Sequence, residues 1–180
     1  MSMSKLIERL KRKLFFSIGR AGMDLYAEPP GTEFEQANNF SAHLGGSAGN
    51  IAVALAKLDC EVELVTCFSD DAVGRFASSR LHKFGVGTSH CRIVGGEARN
   101  TLAVIETRLT DCQSIIYRNG AADFEMNSND VSMLNYKGTG GIIVSGTALA
   151  KEPSRSAIFN VIDNARRAQT PIIIDMDYRP

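Results

Sequence analysis

Asp24, the Gly45-Gly46 pair and Asn50 are the residues of this chain whose types and spacing could do chemistry. Three glycines fall within five residues in Leu44-Gly45-Gly46-Ser47-Ala48-Gly49-Asn50, and Ile51-Ala52-Val53-Ala54-Leu55-Ala56 continues as helix-forming sequence. Glycine lets another group approach the backbone closely. A glycine loop that feeds a helix points free N–H groups at whatever lies above it. Asn50, about one turn in, carries an amide that both donates and accepts. The stretch reads as the floor of a site for a small polar ligand. Asp24 closes Gly19-Arg20-Ala21-Gly22-Met23-Asp24, where the chain leaves a strand. It is there either a carboxylate at the mouth of the site or a turn aspartate.

These residues need elements to position them. Leu14-Phe15-Phe16-Ser17-Ile18 has the apolar density of a buried parallel strand. A helix is expected from about Ser47 to Leu58, capped by Ser47 or Gly46. Residues 62–67 predict a strand, and Ser69-Asp70-Asp71 opens a helix through Phe84. Paired aspartates invite a metal reading, but at a helix start they are ordinarily caps and dipole partners. Residues 91–94 predict a strand. Residues 26–36, with Pro29-Pro30-Gly31, predict a loop, and residues 37–44 an extended lead-in to the glycines.

Residues 101–107 and 113–118 predict a β-hairpin that interrupts the α/β alternation. Arg99-Asn100 stands at its start and Arg118-Asn119-Gly120 at its end. It is either a lid over a pocket or an edge hairpin with solvated arginines. A short helix from Ser128, a strand over 141–147, a helix over 153–168 and a strand over 171–177 complete the pattern. The order predicts an α/β fold: one doubly wound, mostly parallel sheet with helices on both faces. The chain stops after a buried-type strand, so the C-terminal part of such a fold is expected to be missing.

Composition removes several function classes. The 180 residues are enough for one good core, and 44% hydrophobic with 22% charged residues is ordinary for a globular chain. Lysine plus arginine equals aspartate plus glutamate at 20 each, so no basic field points to nucleic acid or an acidic membrane. No apolar run approaches the roughly 20 residues of a membrane span. Residues 1–13 form a basic amphipathic leader, read as a short solvated helix rather than a membrane-surface one. Cys60, Cys67, Cys91 and Cys112 are scattered, which suits a reducing cytosol and gives no zinc or disulfide framework. The three histidines lack metal-ligand spacing. No G-x-G-x-x-G follows the first strand, which argues against a dinucleotide-binding oxidoreductase.

Several segments together resemble one family. Gly19-Arg20-Ala21-Gly22-Met23-Asp24-Leu25-Tyr26 and residues 44–52 are similar to the N-terminal signature of the ribokinase-like (PfkB) carbohydrate kinases. Ser69-Asp70-Asp71-Ala72-Val73-Gly74 resembles their D-x-x-G helix start, and residues 174–180 their D-x-N-x-R segment. Gly96–Val104 and Tyr117–Asp123 are closest to the members that phosphorylate 5-dehydro-2-deoxygluconate in myo-inositol catabolism; 2-keto-3-deoxygluconate kinases and fructokinases are also similar. The resemblance covers nearly everything beyond the leader.

It implies a ribokinase-like fold with a small β lid, built from segments of about 25–44 and 98–120. It implies ATP-dependent phosphorylation of a primary hydroxyl with Mg²⁺, on a small-molecule sugar acid. Asp24, Gly45, Gly46, Asn50 and Asn100 would then bind the sugar. Arg118 and Arg179 would bind the acid end, since guanidinium forks match carboxylates. A homodimer through the lid would use Leu102, Val104 and Ile115. The alternative is a non-catalytic sugar-binding or dimerisation module. Two departures stand out. Asp177 replaces the family's asparagine, and the later G-A-G-D motif with its catalytic base is absent. No catalytic residue is therefore assigned; the base is expected beyond Pro180, and turnover by this chain alone is not expected.

Overall fold

The computed structural model describes residues 2–12, 14–108 and 110–177. Two sheets organise them. The larger has five parallel strands: β1 (Leu14–Ile18), β4 (Glu61–Ser69), β5 (Gly87–Val94), β8 (Gly141–Ser145) and β9 (Ile172–Asp175), in the order β5-β4-β1-β8-β9. Strand alternation sends its side chains to two cores. Phe16 and Ile18 of β1, with Val65 and Cys67 of β4, pack against Ala157, Ile158, Val161 and Ala165 of α5 (Ser154–Arg167). Val62, Leu64 and Phe68 point the other way. They meet Ala52 of α2 (Ser47–Lys57) and Ala77 and Leu81 of α3 (Ala72–Lys83). Helices thus cover both faces, as the alternating pattern requires.

The small sheet contains the hairpin expected from sequence and adds two further strands to it. β2 (Gly22–Glu28) pairs antiparallel with β3 (Asn39–Gly45) and parallel with β6 (Leu102–Ile105), and β6 pairs antiparallel with β7 (Ser114–Tyr117). The result is a four-stranded mixed sheet, β3-β2-β6-β7. Residues 22–28, expected as turn and loop, form a long central strand. Their partners are remote in sequence, and the flanking Gly and Pro signals concealed the alternation of Met23, Leu25 and Ala27 with Asp24, Tyr26 and Glu28. Of the residues offered for lid pairing, Val104 is buried, while Ile115 on the edge strand β7 is 52% exposed and its neighbour Tyr117 57%.

Asn100 joins the two sheets. It is buried where the chain crosses from β5 to β6. Its Oδ1 accepts from the Ser69 N–H at 2.7 Å, its Nδ2 donates to the Ala21 carbonyl at 3.1 Å, and its backbone N–H donates to Ser69 Oγ at 2.9 Å. One side chain therefore fastens two crossings into the small sheet onto the end of β4. In this structure the Asn100 amide is engaged by protein groups, Oδ1 by Ser69 and one Nδ2 proton by the Ala21 carbonyl.

Elsewhere, α1 (Met3–Leu10) buries no residue, yet Arg9 donates to the carbonyls of Tyr136 and Ala168 and to Thr170 Oγ1, at 3.3, 2.9 and 2.6 Å. The leader helix is tied to the N-terminal edge of the large sheet. Among the described residues no helix is long and apolar enough to cross a membrane.

Two carboxylates hold helix starts. Asp71 caps α3 by accepting from the N–H groups of Val73 and Gly74, the capping role expected at this helix start. Asp130, in the short helix α4 (Ser128–Ser132), takes both arms of Arg92, at 2.7 and 2.9 Å. Burial pushes both carboxyls up. For Asp71 the Gly74, Ser69 and Val73 hydrogen bonds outweigh it, and for Asp130 Arg92 and the Asn127 N–H do; both end below the ordinary carboxylate range.

Carboxyls depressed in the folded state contribute fully above their unfolded value of about 4 and lose that contribution as pH falls through the folded values. Urea midpoints should therefore be level from about pH 7 to 5 and decline below about 4, and Asp130→Asn should lower the neutral plateau and flatten that decline. Asn100→Ala leaves the Ser69 N–H and Ala21 carbonyl unsatisfied, and should cost on the order of 2–3 kcal/mol in the same urea measurement.

Candidate functional site at the strand-order reversal

The large sheet grows from β1 in two directions, first to β4 and β5, then to β8 and β9. Strand order reverses between β1 and β8, and in open α/β sheets ligands bind at the carboxyl ends of the strands at such a point. Glycines let the surrounding elements converge there. At Gly19, which follows β1 with φ of +141°, a Cβ would stand 3.0 Å from Ser145 Cβ and 3.2 Å from Ala48 Cβ. The end of β1, the end of β8 and the start of α2 meet at that residue.

Gly46 is the N-cap of α2, with φ of +93° and no side chain to close the first turn. A Cβ there would lie 2.5 Å from the Arg20 carbonyl oxygen. That oxygen instead accepts from the Gly49 N–H at 3.2 Å, so the β1–β2 crossing caps the helix from outside. Of the two caps considered from sequence, the structure selects Gly46.

Gly45 serves Asp24. A Cβ at Gly45 would overlap Asp24 Oδ1 and lie 2.8 Å from Oδ2, so the carboxylate in its present place occupies the space that a side chain at 45 would take. Asp24 faces His43 across the β2–β3 pair, and Tyr26, two residues on, shares its face. The Tyr26 phenol is pushed up by burial first, then by the Asp24 charge and by Cys112. Asn50 stands exposed on α2, its backbone N–H bonded to the Gly46 carbonyl at 2.9 Å.

Arg118 follows β7 and returns to the end of β8. Its Nη2 lies 2.5 Å from Asp123 Oδ2 and donates to the Thr147 carbonyl at 3.1 Å, while the guanidinium covers the Phe124 ring at 4.2 Å. Its Nε is buried and makes no hydrogen bond among the described residues. The fork is thus partly engaged, with one buried donor still open. Arg179 lies outside the described residues.

A hydroxyl cluster that the sequence reading did not single out completes the site. Ser145 Oγ lies 2.9 Å from Ser47 Oγ and 2.7 Å from Thr147 Oγ1, and donates to Asp177 Oδ2 at 3.2 Å. Ser145-Gly146-Thr147 read only as a strand breaking into a glycine turn; the signal available was two hydroxyl residues at a strand's carboxyl end. The structure thus brings Asp24, Gly45 and Gly46 together, links Ser47 to Asp177, and ties Arg118 to Thr147. Among the described residues no group of three or more His, Cys, Asp or Glu could hold a metal ion.

The profile described as pfkB family carbohydrate kinase matches residues 12–180. A 5-dehydro-2-deoxygluconokinase from Photobacterium profundum is 36% identical over 163 residues, covering 91% of this chain and 49% of that protein. The chain spans about half the length of the curated relatives it matches. Among solved structures, a PfkB protein from Polaromonas sp. JS666 superposes with a TM-score of 0.84 at 21% identity, over 93% of this chain and 56% of that one. A fructokinase with bound ATP from Xylella fastidiosa gives 0.83 at 22% identity, over 94% and 53%. The glycine-lined reversal point, the small mixed sheet beside it and these matches agree: the chain belongs to the pfkB family of carbohydrate kinases.

Proposed function

We propose that this chain carries the sugar-binding half of a cytoplasmic kinase that transfers the γ-phosphoryl group of ATP to a primary hydroxyl of a sugar acid. 5-Dehydro-2-deoxygluconate, an intermediate of myo-inositol catabolism, is the substrate that its curated relatives' names favour. The observation that carries the reading is Asp24 resting in the space kept open by Gly45. A carboxylate on a strand beside glycine backbone is a strong acceptor for sugar hydroxyls. The small sheet acts as a lid, with Asp24 on its inner strand.

Asp24 orients the hydroxyls, Gly45 and Gly46 let the sugar reach the backbone, and Asn50 supplies an amide at the rim. Arg118 meets the acid end: burying a carboxylate without a cationic partner would be prohibitive. Arg179 is proposed as its companion. Bound ATP with Mg²⁺ would supply the phosphoryl group and neutralise its charge. The described residues offer no cage of three metal ligands, and Mg²⁺ commonly uses only one or two carboxylates plus phosphates. The four free cysteines suit the cytoplasmic setting.

Calorimetry on the chain tests the reading. 5-Dehydro-2-deoxygluconate should bind, and Asp24→Ala should weaken it at least about tenfold, the value of one good hydrogen bond to a charged group. Arg118→Ala should cost on the order of 2–4 kcal/mol with the acid and far less with the neutral polyol of the same skeleton. Equal losses for acid and polyol would remove Arg118 from the acid subsite. Gly45→Ala should weaken binding about as much as Asp24→Ala, by displacing the Asp24 carboxylate.

Lid pairing between copies is proposed for the exposed edge strand β7. Sedimentation should show a dimer that Ile115→Lys converts to monomer; a wild-type monomer at all concentrations would dismiss it.

A further inference from the structure

We infer that Ser145 and Asp177 fix the direction of the hydroxyl protons at the strand-order reversal, so that Ser47 and Thr147 offer acceptors, not donors, to a bound molecule. The identity of that molecule rests on the sugar-site reading above; the proton arrangement does not.

Ser145 is 1% exposed, so water does not compete for its hydroxyl. Three oxygens surround its Oγ: Ser47 Oγ at 2.9 Å, Thr147 Oγ1 at 2.7 Å and Asp177 Oδ2 at 3.2 Å. A hydroxyl has one proton and two lone pairs. An ionised carboxylate only accepts, so the Ser145 proton goes to Asp177. Both Ser145 lone pairs are then met by the protons of Ser47 and Thr147. One arrangement satisfies all four groups.

Its consequence is chemical. Ser47 and Thr147 have given their protons inward and keep only lone pairs for anything outside the cluster. Arg118 reaches Thr147 through the backbone carbonyl, which leaves the Thr147 hydroxyl to this role. A ligand must place an O–H donor here. A carboxylate or phosphate oxygen would face lone pairs and find no donor in the cluster. The backbone at Asp177, in the left-handed region at φ of 39°, turns the chain there. Asparagine at this position could donate its amide N–H to Ser145 and reverse the chain of protons. Ser145 and Asp177 are positioning residues, and the cluster selects a hydroxyl over an anion.

A ligand-independent measurement decides the proton arrangement: the pH titration of the Asp177 carboxyl carbon by carbon-13 NMR in the full chain. A donated hydrogen bond favours the charged carboxylate. Ser145→Ala should raise the midpoint by about half a unit and Ser145→Thr should restore it, with amide spectra reporting the fold of each. Equal midpoints in wild type and Ser145→Ala overturn the inference. Should Ser145→Ala fail to fold, Asp177→Asn carries the test. It should gain binding of inorganic sulfate by calorimetry and weaken 5-dehydro-2-deoxygluconate about tenfold; no gain of sulfate binding overturns the inference. A wild-type chain that binds no sugar acid would defeat the sugar-site reading, while the titration would still decide the protons.

Discussion

The contact between Gly46 and the Arg20 carbonyl is the constraint on which the site depends. The carbonyl caps α2 through the Gly49 N–H, and Gly46 passes close enough only because it has no side chain. Its positive φ turns β3 directly into α2. One contact therefore joins the end of β1, the small sheet and α2. Asp24 depends on the same geometry, because Gly45, which leaves room for it, is the residue before the cap. A methyl group at either glycine would meet an oxygen at 2.5 Å or less, closer than any ordinary carbon contact.

Around that point the polar groups are organised by what can accept and what can donate. Asn100 uses both ends of its amide to hold the crossings, so the small sheet is fixed at its base. Arg118 is held by Asp123 and the Thr147 carbonyl, which positions the guanidinium before any ligand arrives. Asp177 adds an acceptor on the far side, linked through Ser145 to the start of α2. Under the proposed function, the carboxylate of Asp24 would accept from sugar hydroxyls and the Arg118 guanidinium would meet the acid end, the two kinds of group a sugar acid carries.

Much of this was legible in the sequence because it is local. The glycine stretch, the Asp71 cap and the β1 core residues announce themselves through composition and short-range spacing. The parallel sheet followed from strand and helix alternation. The four-stranded sheet was not legible from local signals alone, because β2 owes its form to β3 and β6 rather than to its own residues. Asn100 was expected at a ligand from the family resemblance; its bonds to Ser69 and Ala21, 31 and 79 positions away, are seen only in the fold. The Ser47–Ser145–Asp177 chain joins residues 98 and 32 positions apart, a separation no spacing rule spans.

The central claim is that a sugar acid lies on the Asp24–Gly46 floor at the strand-order reversal. Backbone amide shift mapping of the chain with 5-dehydro-2-deoxygluconate tests it most directly. Saturable shifts concentrated at Asp24, Gly45, Gly46, Ser47 and Thr147 are the expected result. No saturable shift, or shifts centred on α1 and the end of α5 at the opposite edge of the sheet, would contradict it.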